Sequence, residues 1–204
     1  MFVTFEGIDG SGKTTLLQAL AETMGKAHLC LTREPGDSAL GKRLREIVLD
    51  AKTKGLDARA ELFLFLADRA QHVAQVIRPA LERGEMVFCD RYCDSTLAYQ
   101  GAARGLSQDC IMDLNALASF GLEPDLTFLL DLPVSVAKSR MQQRNEAFEG
   151  RFDSYDGPFH EAVRAGFLEL ATRYAERIYV LDATRSLKEL VSEAHKQLLA
   201  RMPQ

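Results

Sequence analysis

The stretch Gly7–Thr14, with the sequence GIDGSGKT, fits the pattern GxxxxGK[ST]. Its glycines let consecutive backbone N–H groups curl around an anion, and a helix that begins near Lys13 would point its positive end at the same place. Lys13 would reach the outer phosphates of a nucleoside triphosphate, and the hydroxyl of Thr14 could bind Mg²⁺. The stretch therefore predicts a P-loop, a backbone cradle for phosphate groups. The residues predicted to form it are Gly7, Gly10, Ser11, Gly12, Lys13, Thr14 and Thr15.

The segments around this loop alternate between predicted strands and predicted helices. Such alternation is typical of a parallel sheet with crossover helices, so the sequence predicts a single α/β domain, residues 1–204, with the P-loop NTPase fold. The predicted strands are Phe2–Glu6, His28–Thr32, Glu85–Cys89, Leu126–Leu132 and Ile178–Leu181. The predicted helices are Lys13–Met24, Gly41–Leu49, Asp57 to about Arg83, Ser107 to Gly121, one that begins after Pro133, and Ser186–Arg201. In the long third helix, Asp57 is the predicted N-cap and Pro79 is expected to cause a bend.

The segment Asn145–Gly157, with the sequence NEAFEGRFDSYDG, breaks this alternation. It is polar, contains two glycines and shows no clear periodicity. Structureless loops of this length inside a compact domain often cover an active site. The sequence therefore predicts a short mobile lid between two helices.

An acid and a set of arginines favour transfer of a phosphoryl group. The apolar run Met86–Asp90 ends in an acid, which in P-loop proteins holds Mg²⁺ beside the cradle, often through water. Arginine binds oxyanions through its forked guanidinium group, although any single arginine is more often a solvated surface charge. Motor and GTPase members of the class need switch loops and usually longer chains. The arginines that follow strands or lie in the predicted lid are Arg33, Arg45, Arg69, Arg91, Arg140, Arg144 and Arg151.

Phe65 and Arg69 are four residues apart on one predicted helix, so they share a face. An aromatic ring that stacks on a base and a guanidinium group that donates to a base carbonyl would suit a pyrimidine. The alternative is that Phe65 belongs to the core and Arg69 lies along the surface. The spacing alone does not choose between these two interpretations.

The composition excludes some classes of partner. The 204 residues carry a net charge of −4, which gives no general attraction to nucleic acid or to an acidic membrane. No apolar stretch approaches the ~18 residues of a membrane span, and the N-terminus lacks the basic region of a signal peptide. The four cysteines show no metal-binding spacing. We therefore expect reduced thiols in a cytoplasmic protein that binds neither nucleic acid nor membrane.

Several longer strings resemble the bacterial type of the thymidylate kinase family, over nearly the whole chain. The strings DRYCDSTLAYQ and TREPG are far more specific than the P-loop, and they argue against adenylate, guanylate and shikimate kinases. The resemblance is carried by Phe5–Thr15, Thr32–Gly36, Glu61–His72, Cys89–Gly101, Ala103–Leu106, Pro124–Pro133 and Gly150–Asp153.

The resemblance implies the reaction of ATP with dTMP to give ADP and dTDP, with Mg²⁺ as the metal. It also implies the strand order 2-3-1-4-5 and a homodimer. An oxygen of the acceptor phosphate would attack the γ-phosphoryl group in line. Because that oxygen is already ionised at neutral pH, the reaction needs neither a dedicated base nor a covalent intermediate.

For the thymine base, the resemblance implies a stacking ring and a set of polar side chains that read its edge. Phe65 would stack on the base. Arg69 and Gln100 would read its edge, with Thr96 close by. Pro35 would lie near the 5-methyl group.

For the sugar and phosphate of the acceptor, the resemblance implies a second set of contacts. Tyr99 would pack where a ribose 2′-hydroxyl would clash. Arg45 and Arg91 would grip the phosphate. Asp9 would lie near the 3′-hydroxyl and near a phosphate-bound water or the Mg²⁺. The remaining residues implied for this pocket are Glu34 and Ser95.

For ATP, the resemblance implies that Arg140 stacks on adenine beside the loop Asp182–Arg185, with Arg144 in the same binding site. Some family members carry a basic residue inside the P-loop, but this loop has Gly10 and Ser11 instead. A catalytic arginine would therefore come from the lid, with Arg151 as first choice and Arg144 as second. Such a lid supplies charge and excludes water only when both substrates are bound.

One departure and three alternatives stay open at this point. Asp37 replaces a glycine that usually follows TREPG in the family, which puts the local turn in question. A kinase of another small acceptor, such as a deoxynucleoside, would share the P-loop. A non-catalytic ATP-binding regulator would leave Arg69, Arg91 and Arg151 unexplained. The size and acidic charge of the chain disfavour a nucleic-acid motor.

Overall fold

The computed structural model describes residues 1–25, 27–50, 52–53, 55–143, 151–152 and 157–202. Five strands form one parallel sheet in the order β2-β3-β1-β4-β5, with helices around it, which confirms the predicted fold and strand order. The strands are β1 (Phe2–Glu6), β2 (Leu29–Arg33), β3 (Met86–Asp90), β4 (Leu126–Asp131) and β5 (Ile178–Asp182). The α-helices are α1 (Lys13–Met24), α2 (Ala39–Leu49), α3 (Ala58–His72), α4 (Arg78–Glu82), α5 (Cys93–Thr96), α6 (Gln108–Ser119), α7 (Val134–Gln143), α8 (Gly157–Arg173) and α9 (Leu187–Leu199).

The three central strands are almost wholly buried, as expected for a sheet covered on both faces. Phe5 of β1 packs its ring against those of Phe88 on β3 and Phe128 on β4. The polar side chains within this core pair with each other, since the hydroxyls of Thr4 and Thr127 lie 2.7 Å apart. Each strand lies within one residue of its predicted bounds, because short apolar runs flanked by turn residues are a clear signal.

The strand register places the candidate site at one edge of the sheet. Phe5 is paired with Asp90, and Arg33 is paired with the same residue from the other side. The chain segments that follow β1, β2 and β3 therefore emerge side by side. In open parallel sheets, ligands bind in the crevice at this carboxyl edge.

The predicted long helix between Asp57 and Arg83 is instead divided into three parts. Asp57 caps α3 as expected, since its carboxylate accepts a hydrogen bond from the N–H of Arg59. After α3 the hydrogen-bond pattern widens to a π-helical turn over Val73–Ile77, and α4 then begins with Pro79 in its first turn. Proline has no N–H for the preceding turn and its ring crowds the carbonyl four residues earlier, so the regular pattern cannot continue through it.

The segment between β3 and α6 had no predicted structure, and it is helical. After α5, the residues Leu97–Ala103 form a second π-helical stretch that packs closely against α8. The close approach requires Gly166 on α8, where an added Cβ would lie 2.7 Å from the Cβ of Ala102. This packing fixes the backbone of two predicted site residues, Tyr99 and Gln100.

Most of the predicted lid lies outside the described residues. Of residues 145–157, the structure describes only Arg151, Phe152 and Gly157, and the last of these begins α8. Arg144 also lies outside the described part. The assignment of one domain with a lid over 145–157 therefore stays a prediction.

Two further observations concern the cysteines and the helices. Cys30, Cys89, Cys93 and Cys110 are all free thiols. None of the described helices combines the length and the apolar character needed to cross a membrane.

Glu6, the last residue of β1, is completely buried and connects the sheet to the segment after β3. Its carboxyl oxygens accept hydrogen bonds from the N–H of Tyr92 at 2.7 Å and from the hydroxyl of Ser95 at 2.6 Å. Burial, with a contribution from the nearby Asp94, raises the pKa of Glu6 from 4.5 to about 7. The folded protein therefore favours the protonated form of this side chain more than the unfolded chain does.

We predict that the free energy of unfolding of the wild type falls relative to that of Glu6→Gln as pH rises from 5 to 8. A raised carboxyl pKa stabilises the fold fully below the unfolded pKa of 4.5, and that stability is lost as pH rises through about 7. The difference between the two proteins should change by on the order of 2–3 kcal/mol. Urea unfolding at several pH values measures it, with exposed Glu22→Gln as the matched control. A difference that does not vary with pH would contradict the prediction.

Candidate active site

The P-loop joins β1 to α1, and its glycines adopt backbone conformations that other residues rarely take. Gly7 has φ 138° and Gly10 has φ 79°. A Cβ on Gly7 would lie 2.5 Å from the carbonyl oxygen of Leu130, and one on Gly10 would lie 2.6 Å from that of Ala137. Both positions therefore require glycine. Gly12, with φ 94°, immediately precedes α1 and so places the helix N-terminus at the loop, as predicted.

The ammonium group of Lys13 lies inside this loop. It donates to the carbonyl oxygens of Gly7 at 3.1 Å and Ile8 at 3.0 Å. Burial and the nearby Arg91 lower the pKa of Lys13 from 10.5 to about 8. The group is therefore a buried cation that phosphate oxygens would stabilise further.

The predicted loop also contributes three hydroxyl side chains. Thr14 and Thr15 border the adjoining cavity. Ser11 is buried, and its hydroxyl has no hydrogen-bond partner among the residues that the structure describes. A bound anion would give that hydroxyl an acceptor.

The residues predicted to hold Mg²⁺ fit that ion. The hydroxyl of Thr14 donates to a carboxylate oxygen of Asp90 at 2.5 Å, which places two hard oxygen ligands beside the loop. In the described part of the chain, no cluster of three or more His, Cys, Asp or Glu side chains could hold a metal ion. Mg²⁺ usually takes one or two protein ligands together with substrate phosphates and water.

Arg91 follows β3 and connects the P-loop to the acceptor side of the site. Its backbone lies in the left-handed region with φ 71°, which is unusual for a residue other than glycine. The guanidinium donates to the carbonyl oxygen of Gly7 at 3.0 Å and to Asp9 at 2.5 Å on the loop. On the other side it donates to the hydroxyls of Ser95 at 3.1 Å and Tyr99 at 3.3 Å.

Asp9 is an ionised carboxylate at the same junction. Burial alone would raise the pKa of Asp9, but Arg91 and Lys13 hold it well below its ordinary value. The hydroxyl of Tyr99 donates to its second oxygen at 3.0 Å. Both oxygens of Asp9 thus accept hydrogen bonds, and each keeps a further lone pair that could accept one from a water.

A single cavity of about 320 Å³ adjoins the P-loop. Phe65 lies at its wall, partly buried, with its ring 6.1 Å from that of Phe152. Arg69 is buried at the same wall and does not lie along the protein surface, which contradicts that part of the alternative interpretation. The cavity brings together every residue predicted for the acceptor, namely Asp9, Glu34, Pro35, Arg45, Phe65, Arg69, Arg91, Ser95, Thr96, Tyr99 and Gln100.

Arg69 is held in a network of buried polar groups. Its Nε donates to Glu34 at 2.9 Å, and its Nη1 donates to the hydroxyl of Thr96 at 3.1 Å and to Asn115 at 2.6 Å. The ring of His72 lies 2.9 Å from the other oxygen of Glu34. This network presents a guanidinium of fixed orientation to the cavity.

Three arginines make the middle of the cavity strongly positive. Burial lowers the pKa of Arg45, and Arg33 and Arg91 lower it further. Arg45 donates to the carbonyl oxygen of Pro35 at 2.8 Å, and all three arginines border the cavity. Because like charges this close repel each other, the region favours an anion.

The predicted adenine site is only partly described. Arg140 donates to the carbonyl oxygen of Ala183 at 2.9 Å, so it lies against the loop Asp182–Arg185 as expected. Asp182 accepts hydrogen bonds from the N–H and hydroxyl of Thr184.

Arg151 lies in a buried position beside α2 and α3. It donates to the carboxylate of Glu61 at 2.5 Å and to the carbonyl oxygen of Val48 at 3.1 Å. It is not among the residues that border the cavity. A role for Arg151 at the transferred phosphate therefore requires that it leave Glu61.

Sequence reasoning did not assign four residues that build this site. Glu61 and Phe152 lie inside strings that carried the family resemblance, and an acid at the start of an apolar helix was an available signal. Glu6 ends a strand at the carboxyl edge of the sheet, which was also a usable signal. Asn115 lies in the middle of α6, and its spacing gave no indication of its contact with Arg69.

The chain is similar to proteins of one family. The family model described as thymidylate kinase matches residues 5–194. The thymidylate kinase of Desulfovibrio desulfuricans is 53% identical, with 98% of this chain and 95% of that protein covered. That of Solidesulfovibrio magneticus is 52% identical over 95% of this chain and 96% of the relative.

A solved structure agrees with the sequence relatives. The crystal structure of thymidylate kinase from Ehrlichia chaffeensis matches with a TM-score of 0.80 at 35% identity, and the match covers 98% of each chain. The family model also spans most of the present chain, from the P-loop strand to the last helix. The chain therefore belongs to the thymidylate kinase family.

Proposed function

We propose how the residues of this chain divide the reaction of its family, transfer of the γ-phosphoryl group from ATP to dTMP to give ADP and dTDP. The observation that carries the proposal is one cavity that Lys13 and Thr14 border together with Phe65 and Arg69. Arg91 borders the same cavity and donates to Gly7 of the P-loop and to Ser95 on the acceptor side. Two nucleotides bound in this cavity would meet with their phosphates at Arg91.

On the acceptor side, Phe65 stacks on thymine and Arg69 donates to its edge together with Gln100. The fixed network around Arg69 supports this role, because a preorganised donor loses little entropy on binding. Tyr99 packs against the sugar, supported by the anchoring of its hydroxyl at Asp9.

The acceptor phosphate binds among Arg33, Arg45 and Arg91. Their shared positive charge supports this assignment, because a phosphate dianion would relieve the repulsion between them. Alignment and charge neutralisation then supply most of the catalysis, since an ionised phosphate oxygen needs no base to attack. A deoxynucleoside acceptor would leave these arginines without an anion.

On the donor side, the P-loop amides and Lys13 bind the β- and γ-phosphates, and Arg140 stacks on adenine. Thr14 and Asp90 would hold Mg²⁺, with Asp9 close by, and the ion would supply charge neutralisation at the phosphates.

For the catalytic arginine we propose Arg151, with Arg144 as the alternative. In the structure Arg151 is held by Glu61, and its transfer to the phosphates would accompany closure of the segment 145–157. Glu61 would keep a cationic partner after this step, because Arg104 also donates to it at 3.1 Å. Departure of Arg151 would therefore not leave Glu61 as an uncompensated buried charge.

A homodimer and a cytoplasmic location complete the proposal. Exposed apolar side chains on three adjoining helices, and on the residue that follows the last of them, support the dimer, namely Leu40, Ile47, Phe63, Leu117 and Phe120. Free thiols support the cytoplasm, where cysteines remain reduced. Sedimentation as a monomer at micromolar concentrations would contradict the dimer, and a cell fraction that holds the protein outside the cytoplasm would contradict the location.

A panel of acceptors in an ADP-release assay tests the function directly. We expect turnover with dTMP and Mg²⁺, and background release with thymidine, because thymidine lacks the anion that the arginine cluster requires. An excess of a Mg²⁺ chelator should abolish ADP release, since the phosphates of ATP then lose their cation. Turnover with thymidine in preference to dTMP, or ATP binding without ADP release for any acceptor, would contradict the proposal.

Arg45→Met should raise KM for dTMP by about 10–100-fold, the value of one or two charge-assisted hydrogen bonds, while KM for ATP stays within about twofold. The matched control is Arg43→Met, which removes the same charge from an exposed position two residues away on α2. Steady-state kinetics with each substrate varied in turn measures both constants. An equal rise of KM for dTMP in the two variants would contradict the prediction, because it would show that only the net charge of the protein affects dTMP binding.

Arg151→Met should lower kcat by about 10³-fold with little change in the affinity for dTMP, because an arginine that stabilises the transition state contributes on this scale. Single-turnover kinetics gives the rate, and equilibrium titration with dTMP gives the affinity. The same measurements on Arg173→Met, an exposed arginine at the end of α8, control for loss of charge. If Arg151→Met turned over at the wild-type rate, the proposed catalytic role of Arg151 would be contradicted.

A further inference from the structure

Glu61, in the first turn of α3, is a fully buried carboxylate with three donors around it. The side-chain amide of Gln100 donates to it at 2.7 Å. The guanidinium groups of Arg104 and Arg151 donate to its other oxygen at 3.1 Å and 2.5 Å. None of the roles described above explains why Gln100 is tied to this acid.

The contact with Glu61 fixes which end of the Gln100 amide faces the cavity. A carboxylate paired with two guanidinium groups accepts hydrogen bonds and donates none. The Gln100 atom that lies 2.7 Å from it must therefore be the NH₂ nitrogen. The carbonyl oxygen of Gln100 then has to lie at the opposite end of the amide.

The carbonyl oxygen of Gln100 borders open space. No described residue donates a hydrogen bond to it, and it is not one of the buried polar atoms that lack a partner. Gln100 itself lines the cavity. The cavity wall therefore offers an acceptor at Gln100 and a donor at Arg69, whose guanidinium has no acceptor function.

This pair of groups matches one class of pyrimidine. Thymine and uracil present a C4 carbonyl that accepts a hydrogen bond and an N3–H that donates one. Cytosine presents the reverse, an amino group at C4 and an acceptor at N3. A cytosine at this wall would place a donor against Arg69 and an acceptor against the oxygen of Gln100.

We propose that Glu61 is a specificity-determining residue, which selects thymine and uracil against cytosine by holding the Gln100 amide with its oxygen toward the base. Glu61 acts through Gln100 and does not touch the substrate, so it is a positioning residue. The inference rests on the transfer of a phosphoryl group to dTMP. A site that hydrogen-bonds its substrate strongly rejects an analogue with the reversed donor and acceptor pattern, because buried polar groups of the site are then left without partners.

The arrangement of charges keeps this orientation through the catalytic cycle. If Arg151 leaves for the phosphates, Arg104 still pairs with Glu61. The acid therefore remains ionised and continues to accept from Gln100. Base selection would then operate before and after movement of Arg151.

Glu61→Gln tests the proposal with little change in shape. A glutamine at this position has both an NH₂ group and a carbonyl oxygen, so Gln100 can rotate its amide and present NH₂ to the base. We expect the ratio of kcat/KM for dTMP to that for dCMP to fall by about 100-fold. The ratio for dTMP to dUMP should stay within about twofold, because those two bases share the same edge at C4 and N3.

Two further variants separate this effect from a general loss of packing. Gln100→Met removes the acceptor and leaves Glu61 with its arginines, so the dTMP-to-dCMP ratio should again fall. Glu22→Gln makes the same side-chain change at an exposed position on α1, and the ratio should stay near that of the wild type. Gln100→Met also keeps the proposal testable if Glu61→Gln does not fold.

The outcomes distinguish the two claims. A wild-type enzyme that does not phosphorylate dTMP would contradict the proposed function itself. A wild type that prefers dTMP, together with a folded Glu61→Gln whose dTMP-to-dCMP ratio is unchanged, would overturn the role of Glu61 alone. An unchanged ratio in Gln100→Met would overturn it as well.

Discussion

The hydrogen bonds of Arg91 are the interaction on which the site depends. One guanidinium donates to Gly7 and Asp9 of the P-loop and to Ser95 and Tyr99 on the acceptor side. The parallel sheet makes this possible, because the ends of β1 and β3 emerge side by side at its carboxyl edge. In the proposed arrangement, the core of the fold would thus set the distance between the two substrates. Alignment of reacting groups in this manner is a large part of catalysis by phosphoryl-transfer enzymes.

The site is built from buried charges that the protein satisfies only in part. Glu34, Thr96 and Asn115 hold Arg69 in one orientation, so in the proposed role it would be a rigid reader of the base. Lys13 and Arg45 instead have lowered pKa values, because burial and neighbouring cations disfavour their charged forms. Two anionic nucleotides would stabilise these cations. In the proposed arrangement, binding energy would therefore come from charges that folding alone leaves poorly compensated.

Much of the fold and the gathering of many candidate site residues in one cavity were predictable because they follow from local rules. The P-loop is a contiguous motif, and the pair Phe65–Arg69 shares a helix face through simple periodicity. The interruption of the long helix near Pro79 was predicted as a bend, whereas its π-helical form depends on packing that no local rule describes. Asn115 and the orientation of the Gln100 amide were not predictable, since both depend on contacts between residues far apart in the chain. The family resemblance supplied roles that spacing alone left open.

The central claim is that ATP and dTMP bind end to end with their phosphates at Arg91. Calorimetric titration with adenosine and thymidine joined through their 5′-oxygens by a pentaphosphate tests it most directly. The account predicts binding at one site per chain at least about 100-fold tighter than ATP, since the second half binds without loss of further translational freedom. The bound compound should also prevent binding of free dTMP. Affinity no greater than that of ATP, with dTMP still able to bind, would contradict the account.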